Sequence, residues 1–261
     1  MKEQILALLD DHPWGKLIQI HEVLDSTNTY AKELARQGAP EGTVIIAKQQ
    51  VGGRGRLGRS FHSPKNSGLY MSLIIRPNCP ADRLMHLTCA AAVAACDAVE
   101  NSCNVRPGIK WINDLTMDRK KLGGILTELI FGSDGNVSAA VIGIGINCRK
   151  TVFPEELQDL VCCLSQFADE TDPVLLAARL IQSLDTMNRQ LFSHQEQIME
   201  RYRQNCVTLG KPVRVISSHG TETGVAETVL DHGALQVLFD NGQRSEVNSG
   251  EVSVRGLWDY L

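Results

Sequence analysis

Residues 43–76 read TVIIAKQQVGGRGRLGRSFHSPKNSGLYMSLIIR. TVIIAKQ and GLYMSLIIR are apolar, β-branched runs of the kind that form buried strands, so the Gly/Arg segment between them is a loop pinned at both ends. Within it Gly52, Gly53, Gly55 and Gly58 alternate with Arg54, Arg56 and Arg59. Glycine removes the Cβ barrier to close approach and to positive φ, which keeps such a backbone open and flexible. Guanidinium is permanently charged and presents a planar fork to phosphate or carboxylate. No acid lies between Glu41 and Asp82, whereas Lys48, Lys65 and Arg76 add to the three loop arginines. The loop is therefore expected to cradle an anion. A disordered RG segment binding RNA backbone is the competing reading, and the flanking strands argue against it.

Working outward, the patterns alternate. Helices are expected over 3–10, 26–37, 81–101, 155–167, 173–191 and 194–205, and strands over 17–23, 43–49, 69–76, 109–113, 123–131 and 138–147. Asp25, Ser26, Thr27 and Asn28 supply capping chemistry for the second helix, which Gly38 and Pro40 end. Residues 132–136, Gly-Ser-Asp-Gly-Asn, read as a hairpin turn. From about Leu209 the texture changes to short β runs, PVRVIS, GVAETVLD, ALQVLFD, RSEVNS and EVSVRG, with turn chemistry at Asp231-His232-Gly233 and Asn241-Gly242. That pattern predicts a five-stranded SH3-like barrel of roughly fifty residues.

The 261 residues, 43% hydrophobic and 21% charged, suffice for one sizeable core and a small second domain. No apolar run approaches a membrane span, and MKEQILALLDDHPWGK carries acids where a signal peptide is apolar, so a cytoplasmic protein is expected. A formal net charge of −4 gives no basic face for duplex DNA. The eight cysteines form no CxxC pair and no metal set with histidine. Cys89, Cys96 and Cys103 recur every seven residues as one helical stripe, and reduced structural thiols are expected.

Three further clusters combine polar groups with strand ends: KWIND at Lys110–Asp114, KKLGGILTE at Lys120–Glu128, and GIGIN at Gly143–Asn147. Singly, Trp111 is ordinary core, Lys120 and Lys121 an ordinary solvated turn, and Asn147 an ordinary turn residue. Their joint occurrence at strand ends, where sheets position ligands, points to a site.

DSTNTYAKELA, AKQQVGGRGRLGR, SFHSPKNSGLYMSL, KWINDL, RKKLGGILTE and GIGINC, in this order, resemble the motif set of the biotin protein ligases. The resemblance runs from about residue 20 to the C-terminus. It implies an α+β fold: a mixed-sheet catalytic domain of the biotin/lipoate ligase type over 1–208, followed by an SH3-like β-barrel over 209–261. It implies that biotin and Mg²⁺-ATP give biotinyl-5′-AMP, from which biotin passes to a lysine of a biotin carboxyl carrier protein, an acetyl-CoA carboxylase subunit or part of another biotin-dependent carboxylase.

By the same resemblance, Ser26, Thr27, Asn28 and Gln50 would bind the ureido head of biotin. Arg54, Gly55 and Arg56 would enclose its carboxylate and the ATP phosphates, and Arg59 would hold the pyrophosphate side. Phe61 would stack on adenine, Asn147 would contact it, and Lys121 would bind the carboxylate and the α-phosphate region. Asp114 would orient or deprotonate the carrier amine. Joining two anions makes preorganised positive charge the dominant catalytic requirement, and a loop closing over the adenylate would exclude water. No metal held by protein side chains, no DNA or membrane partner, and a monomer or weak homodimer are expected.

Two departures from the family pattern are Ile112 where proline is usual and Phe61 where tryptophan is frequent, which bears on ATP affinity. About 25 residues precede Asp25-Ser26-Thr27, too few for the winged helix of bifunctional members, so no repressor function is expected. A lipoate or octanoyl-type ligase or transferase is the enzymatic alternative, and would lack GRGRLGR and the barrel in this form. A non-catalytic RNA- or protein-binding module is the other, and would not demand Lys121 and Asn147.

Overall fold

The computed structural model describes residues 1–217 and 220–248, and 253–256 as strand backbone. Seven strands, β1 (Ile18–His21), β2 (Val44–Ala47), β3 (Gly68–Ile75), β4 (Gly108–Lys110), β5 (Asp114–Met117), β6 (Lys120–Phe131) and β7 (Val137–Asn147), form one mixed sheet in the order β1-β2-β3-β7-β6-β5-β4. β1 and β2 are parallel, joined by the crossover through α2 (Thr27–Arg36), and every other pairing is antiparallel.

Period-two alternation divides β3 and β7 between two faces. Leu69, Met71, Leu73 and Ile75 of β3, with Ile142, Ile144 and Ile146 of β7, pack into the main core with α1 (Lys2–Leu9), α3 (Leu87–Cys103) and α4 (Pro173–Gln190). On the opposite face Ile45, Ile74, Ala139 and Val141 pack against Ala31 and Ala35 of α2. Beyond Val141 that face carries Gly143, Gly145 and Asn147, so apolar cover stops and a floor begins.

Beside α5 (Gln195–Asn205), the strands β8 (Pro212–Ser217), β9 (Gly220–Val229), β10 (Leu235–Phe239), β11 (Arg244–Val247) and β12 (Ser253–Gly256) form an antiparallel sheet in the order β11-β10-β9-β8-β12. It matches the five runs expected from the sequence; residues 249–252 of the last two lie outside the described residues. This small module is tied to the first sheet through Trp111, whose Nε1–H donates to Gly233 O at 3.0 Å in the β9–β10 turn.

Three expectations are corrected. The 81–101 helix is interrupted: a 3-10 turn at Ala81–Leu84 precedes α3, and between them His86, the N-cap residue of α3, turns its ring inward to Leu191 O at 2.9 Å rather than to the helix end. The strand expected over 109–113 ends at Lys110, and Trp111-Ile112-Asn113 form a corner into β5, which the sequence reading omitted. Asn113 O accepts from Ile125 N at 2.8 Å, drawing the corner onto β6. The 155–167 helix is absent. Two short 3-10 turns, Glu155–Leu157 and Leu164–Gln166, flank residues whose backbone is captured by the start of β6, with Lys121 N donating to Leu160 O and Cys162 N to Lys121 O, each at 2.8 Å.

All eight cysteines are free, and seven are buried, Cys79 being half-buried. Burial pushes the Cys96, Cys148 and Cys162 thiols from the ordinary 9.0 up to about 12. At pH 8, Ellman's reagent should therefore titrate at most Cys79 quickly in the native protein, and all eight after denaturation. Because the folded state raises these pKa values, their contribution to stability is complete below about pH 9 and is lost as pH rises from 9 toward 12. Alkaline melts measure it.

Candidate ligand site

A cavity of about 910 Å³ opens on the α2 side of the sheet, and all twelve residues singled out from the sequence line it. Its floor depends on missing side chains. A Cβ on Gly143 would stand 2.0 Å from Asn28 Oδ1, and one on Gly145 would stand 2.6 Å from the Phe61 ring. Both glycines are required by close approach rather than by φ.

At the N-terminus of α2, Ser26 caps the helix, its Oγ accepting from Thr29 N at 3.4 Å. Thr27 donates through N and Oγ1 to Gln50 Oε1 at 2.8 and 3.0 Å, and Gln50 Nε2 donates to Ser63 Oγ at 2.9 Å. Asn28 is 3% exposed and its amide is fully engaged. Nδ2 donates to Leu126 O at 3.1 Å and Glu128 Oε2 at 2.9 Å, while Oδ1 accepts from Ser72 Oγ at 2.6 Å. Glu128 is held in turn by Lys32 Nζ at 2.5 Å. Asn28 and Gln50 thus shape this end of the cavity and fix Thr27, with one Nε2 hydrogen of Gln50 left to offer.

The arginine loop is folded as a closed hairpin, where an open segment was expected. Gly55 N donates to Arg59 O at 2.7 Å and Phe61 N to Gly53 O at 2.8 Å, with an Arg54–Ser60 bridge between them. A Cβ on Gly52 would lie 2.1 Å from Asp25 Oδ1 and one on Gly53 2.4 Å from Phe61 O, so these glycines let the loop close on its base. Arg54, Arg56 and Arg59 line the main cavity on one side of the loop and a second, of about 640 Å³, on the other. Arg56 Nη1 donates to Asn113 Oδ1 at 3.2 Å. Burial lowers the Arg56 pKa, and neighbouring Asp114 opposes that shift.

Lys121 Nζ donates to Asp114 Oδ1 at 2.7 Å, so the Asp114 carboxylate already has a cationic partner. Lys120 is half-buried on the same rim, although strict alternation sends it to the far side in solvent. The two lysines begin β6 directly after the Asp118-Arg119 turn, where both side chains still border the opening. Asn147 is buried at the end of β7, its Nδ2 donating to Cys162 O at 3.1 Å. Phe61 stands edge-on to Tyr70, ring centroids 6.4 Å apart.

Four contributors escaped the sequence reading. Ser72 is a lone hydroxyl in the apolar run YMSLII, an irregularity that was legible. Asn113 and Glu128 lie inside quoted motifs without an assigned part. Arg214 reaches the cavity from the small module, because Val213 and Val215 are buried and period two sends the residue between them outward. Arg214→Ala is expected to weaken binding of a polyanionic ligand in the cavity about three- to tenfold, while Arg244→Ala on β11, paired with Glu227, leaves it unchanged. Titration calorimetry with inorganic pyrophosphate checks this.

The lining holds eight lysines and arginines against three aspartates, in a chain of net charge −4, and suits a ligand of several negative charges. No group of three or more His, Cys, Asp or Glu is gathered for a metal among the described residues. None of their helices is long and apolar enough to cross a membrane.

This mixed sheet, its cationic cavity and the trailing β-module define the class of biotin and lipoate protein ligases. Residues 20–147 match the biotin/lipoate A/B protein ligase family, and residues 208–255 match the biotin protein ligase C-terminal domain. The chain is 36% identical over 232 residues to the bifunctional ligase/repressor BirA of Bacillus subtilis, covering 87% of this chain and 71% of that protein. It is 32% identical over 243 residues to the biotin–[acetyl-CoA-carboxylase] ligase of Mycobacterium tuberculosis, covering 90% and 88%. The fold superposes on the biotin protein ligase from Aquifex aeolicus in complex with biotin and ATP with a TM-score of 0.78, 25% identity, and coverage of 92% and 98%. Within the class, the chain belongs to the biotin protein ligase family.

Proposed function

We propose that the protein activates biotin with ATP and transfers it to a lysine of a biotin carboxyl carrier domain. One observation carries the reading: twelve residues scattered from Ser26 to Asn147 line a single cationic cavity. In the first half-reaction a biotin carboxylate oxygen bonds to the α-phosphorus, the bond from that phosphorus to the bridging oxygen breaks, and pyrophosphate leaves. In the second, the carrier amine bonds to the acyl carbon, AMP departs with the carboxylate oxygen, and the amine gives up a proton to form the amide. No enzyme nucleophile is used.

Arg54, Arg56, Arg59 and Lys121 supply the field that lets two anions meet, the requirement such a step places on a site. Ser26 and Thr27, with the remaining Gln50 hydrogen, face the ureido group; Asn28 acts by fixing Thr27's surroundings. Gly55 brings backbone to the carboxylate, Phe61 stacks on adenine, and Asn147 contacts it. Asp114, paired with Lys121 in the free protein, orients the incoming amine once the anions have drawn Lys121 away. Magnesium enters on the nucleotide phosphates. We also propose a catalytic domain over 1–208 and a barrel domain over 209–261, in a cytoplasmic protein that is a monomer or weak homodimer.

Native mass spectrometry after incubation with Mg²⁺-ATP and either biotin or lipoate tests the assignment. Bound biotinyl-5′-AMP, and then a carrier domain heavier by one biotin on lysine, are expected. A lipoyl-adenylate without a biotinyl one overturns the substrate, and no adenylate from either overturns the reaction.

A further inference from the structure

We propose that Asn113 is a positioning residue that holds the Arg56 guanidinium in the orientation the site requires. The inference rests on the ligase reading for its kinetic consequence, and on geometry alone for its structural one. Asn113 is fixed to β6 twice: its carbonyl oxygen accepts from Ile125 N at 2.8 Å, and its Nδ2 donates to Ile125 O at 2.9 Å. The side-chain carbonyl has one direction left to face, and it faces the arginine loop, accepting from Arg56 Nη1 at 3.2 Å.

Arg56 sits on a loop hydrogen-bonded within itself and to its own base, and is half-buried at the start of the otherwise exposed turn Arg56–Gly58. The Asn113 bond ties its side chain to the sheet, 57 residues away in sequence. A neutral amide fixes direction without adding to the negative charge that Asp114 already presents to Arg56. The next residue, Asp114, holds Lys121 at 2.7 Å. Adjacent residues of one corner thereby aim two cations from different elements at one cavity.

A double-mutant cycle with Arg56→Ala tests the idea. Asn113→Ala is expected to lower kcat for adenylate formation about 10- to 100-fold, the range of a lost hydrogen bond to a charged group, and to change the Kd for biotin less than about threefold. In the Arg56→Ala background the same change is expected to lower kcat less than about threefold. Asn113→Asp, which keeps an acceptor toward Arg56, is expected to recover part of the rate. Losses that simply add in the cycle, accompanied by a fall in Tm that accounts for them, would mean that Asn113 only shapes its corner and would overturn the proposal.

A second measurement stands apart from the reaction. In ¹⁵N spectra assigned with Arg56→Lys, the wild-type Arg56 Nη signals are expected to be resolved by slowed rotation and to average in Asn113→Ala. Signals averaged in both proteins, or resolved in both because another partner holds Arg56, overturn the inference even if biotin is adenylated. Resolved signals that average in the variant sustain it even if biotin is not the substrate.

Discussion

Lys121→Gln is expected to slow adenylate formation by about 100- to 1,000-fold, roughly 2.7–4 kcal/mol, and Lys120→Gln to change it by no more than about fivefold. The two residues are adjacent, both border the cavity and both are half-buried, but only Lys121 is held from within, by Asp114 at 2.7 Å. Removing its charge takes away a preorganised partner of the reacting anions. It also leaves the Asp114 carboxylate uncompensated beside them, so the loss falls on the chemical step. Neither lysine fills the core, and melting temperatures of both variants should stay near that of the parent. Adenylation rates decide the matter: equal small losses, or a greater one at Lys120, would place the site or the start of β6 wrongly.

Gly143→Ala is expected to be the most damaging change of a single methyl group. The new Cβ would lie 2.0 Å from Asn28 Oδ1, on a side chain tied to Ser72, Leu126 and Glu128. Either the floor strand shifts or the amide leaves its partners. Overpacking and a broken buried network together cost about 3 kcal/mol or more, and lower Tm by roughly 6–12 °C or more. Biotin affinity should fall with it, because Asn28 stands beside Thr27. The signature is a reversal of sign: Asn28→Ala destabilises the parent, yet should stabilise the Gly143→Ala protein by removing the clash. If Asn28→Ala destabilises both backgrounds equally, the contact is not what makes residue 143 a glycine.

Much of the frame was legible because its signals are local. α2 begins where Ser26 caps it, β3 and β7 follow their apolar runs, and the turn at 132–136 joins β6 to β7. The failures lie where distant partners override local pattern. Residues 155–167 carry a helical spacing, but Lys121 captures the backbone of Leu160 and Cys162, and a backbone group bonded across the fold cannot also close a helical turn. β5 is only four residues long and hides between the KWIN corner and the Asp118 turn.

The site divides the same way. Twelve residues of its direct lining could be picked out because they cluster in motifs, whereas Asn113 and Arg214 of the same lining were missed. The contacts of its supports could not be picked out: Ser72 stands out as a hydroxyl in an apolar run, but it and Glu128 meet Asn28 from 44 and 100 positions away, and no periodicity encodes such meetings. The loop's glycines were rightly singled out, but flexibility was the wrong reason for Gly52 and Gly53, which admit Asp25 and Phe61.

The floor of the cavity also limits how such a pocket can be mapped. Trimming side chains to alanine finds residues whose atoms matter, and at Gly143 and Gly145 there is no side chain to trim. There alanine is the addition, and it would fill space that Asn28 and Phe61 already occupy. The pocket is in that sense a mould, its outline written partly in atoms that evolution left out, and a variant library built by enlargement would reveal positions that a library built by deletion passes over.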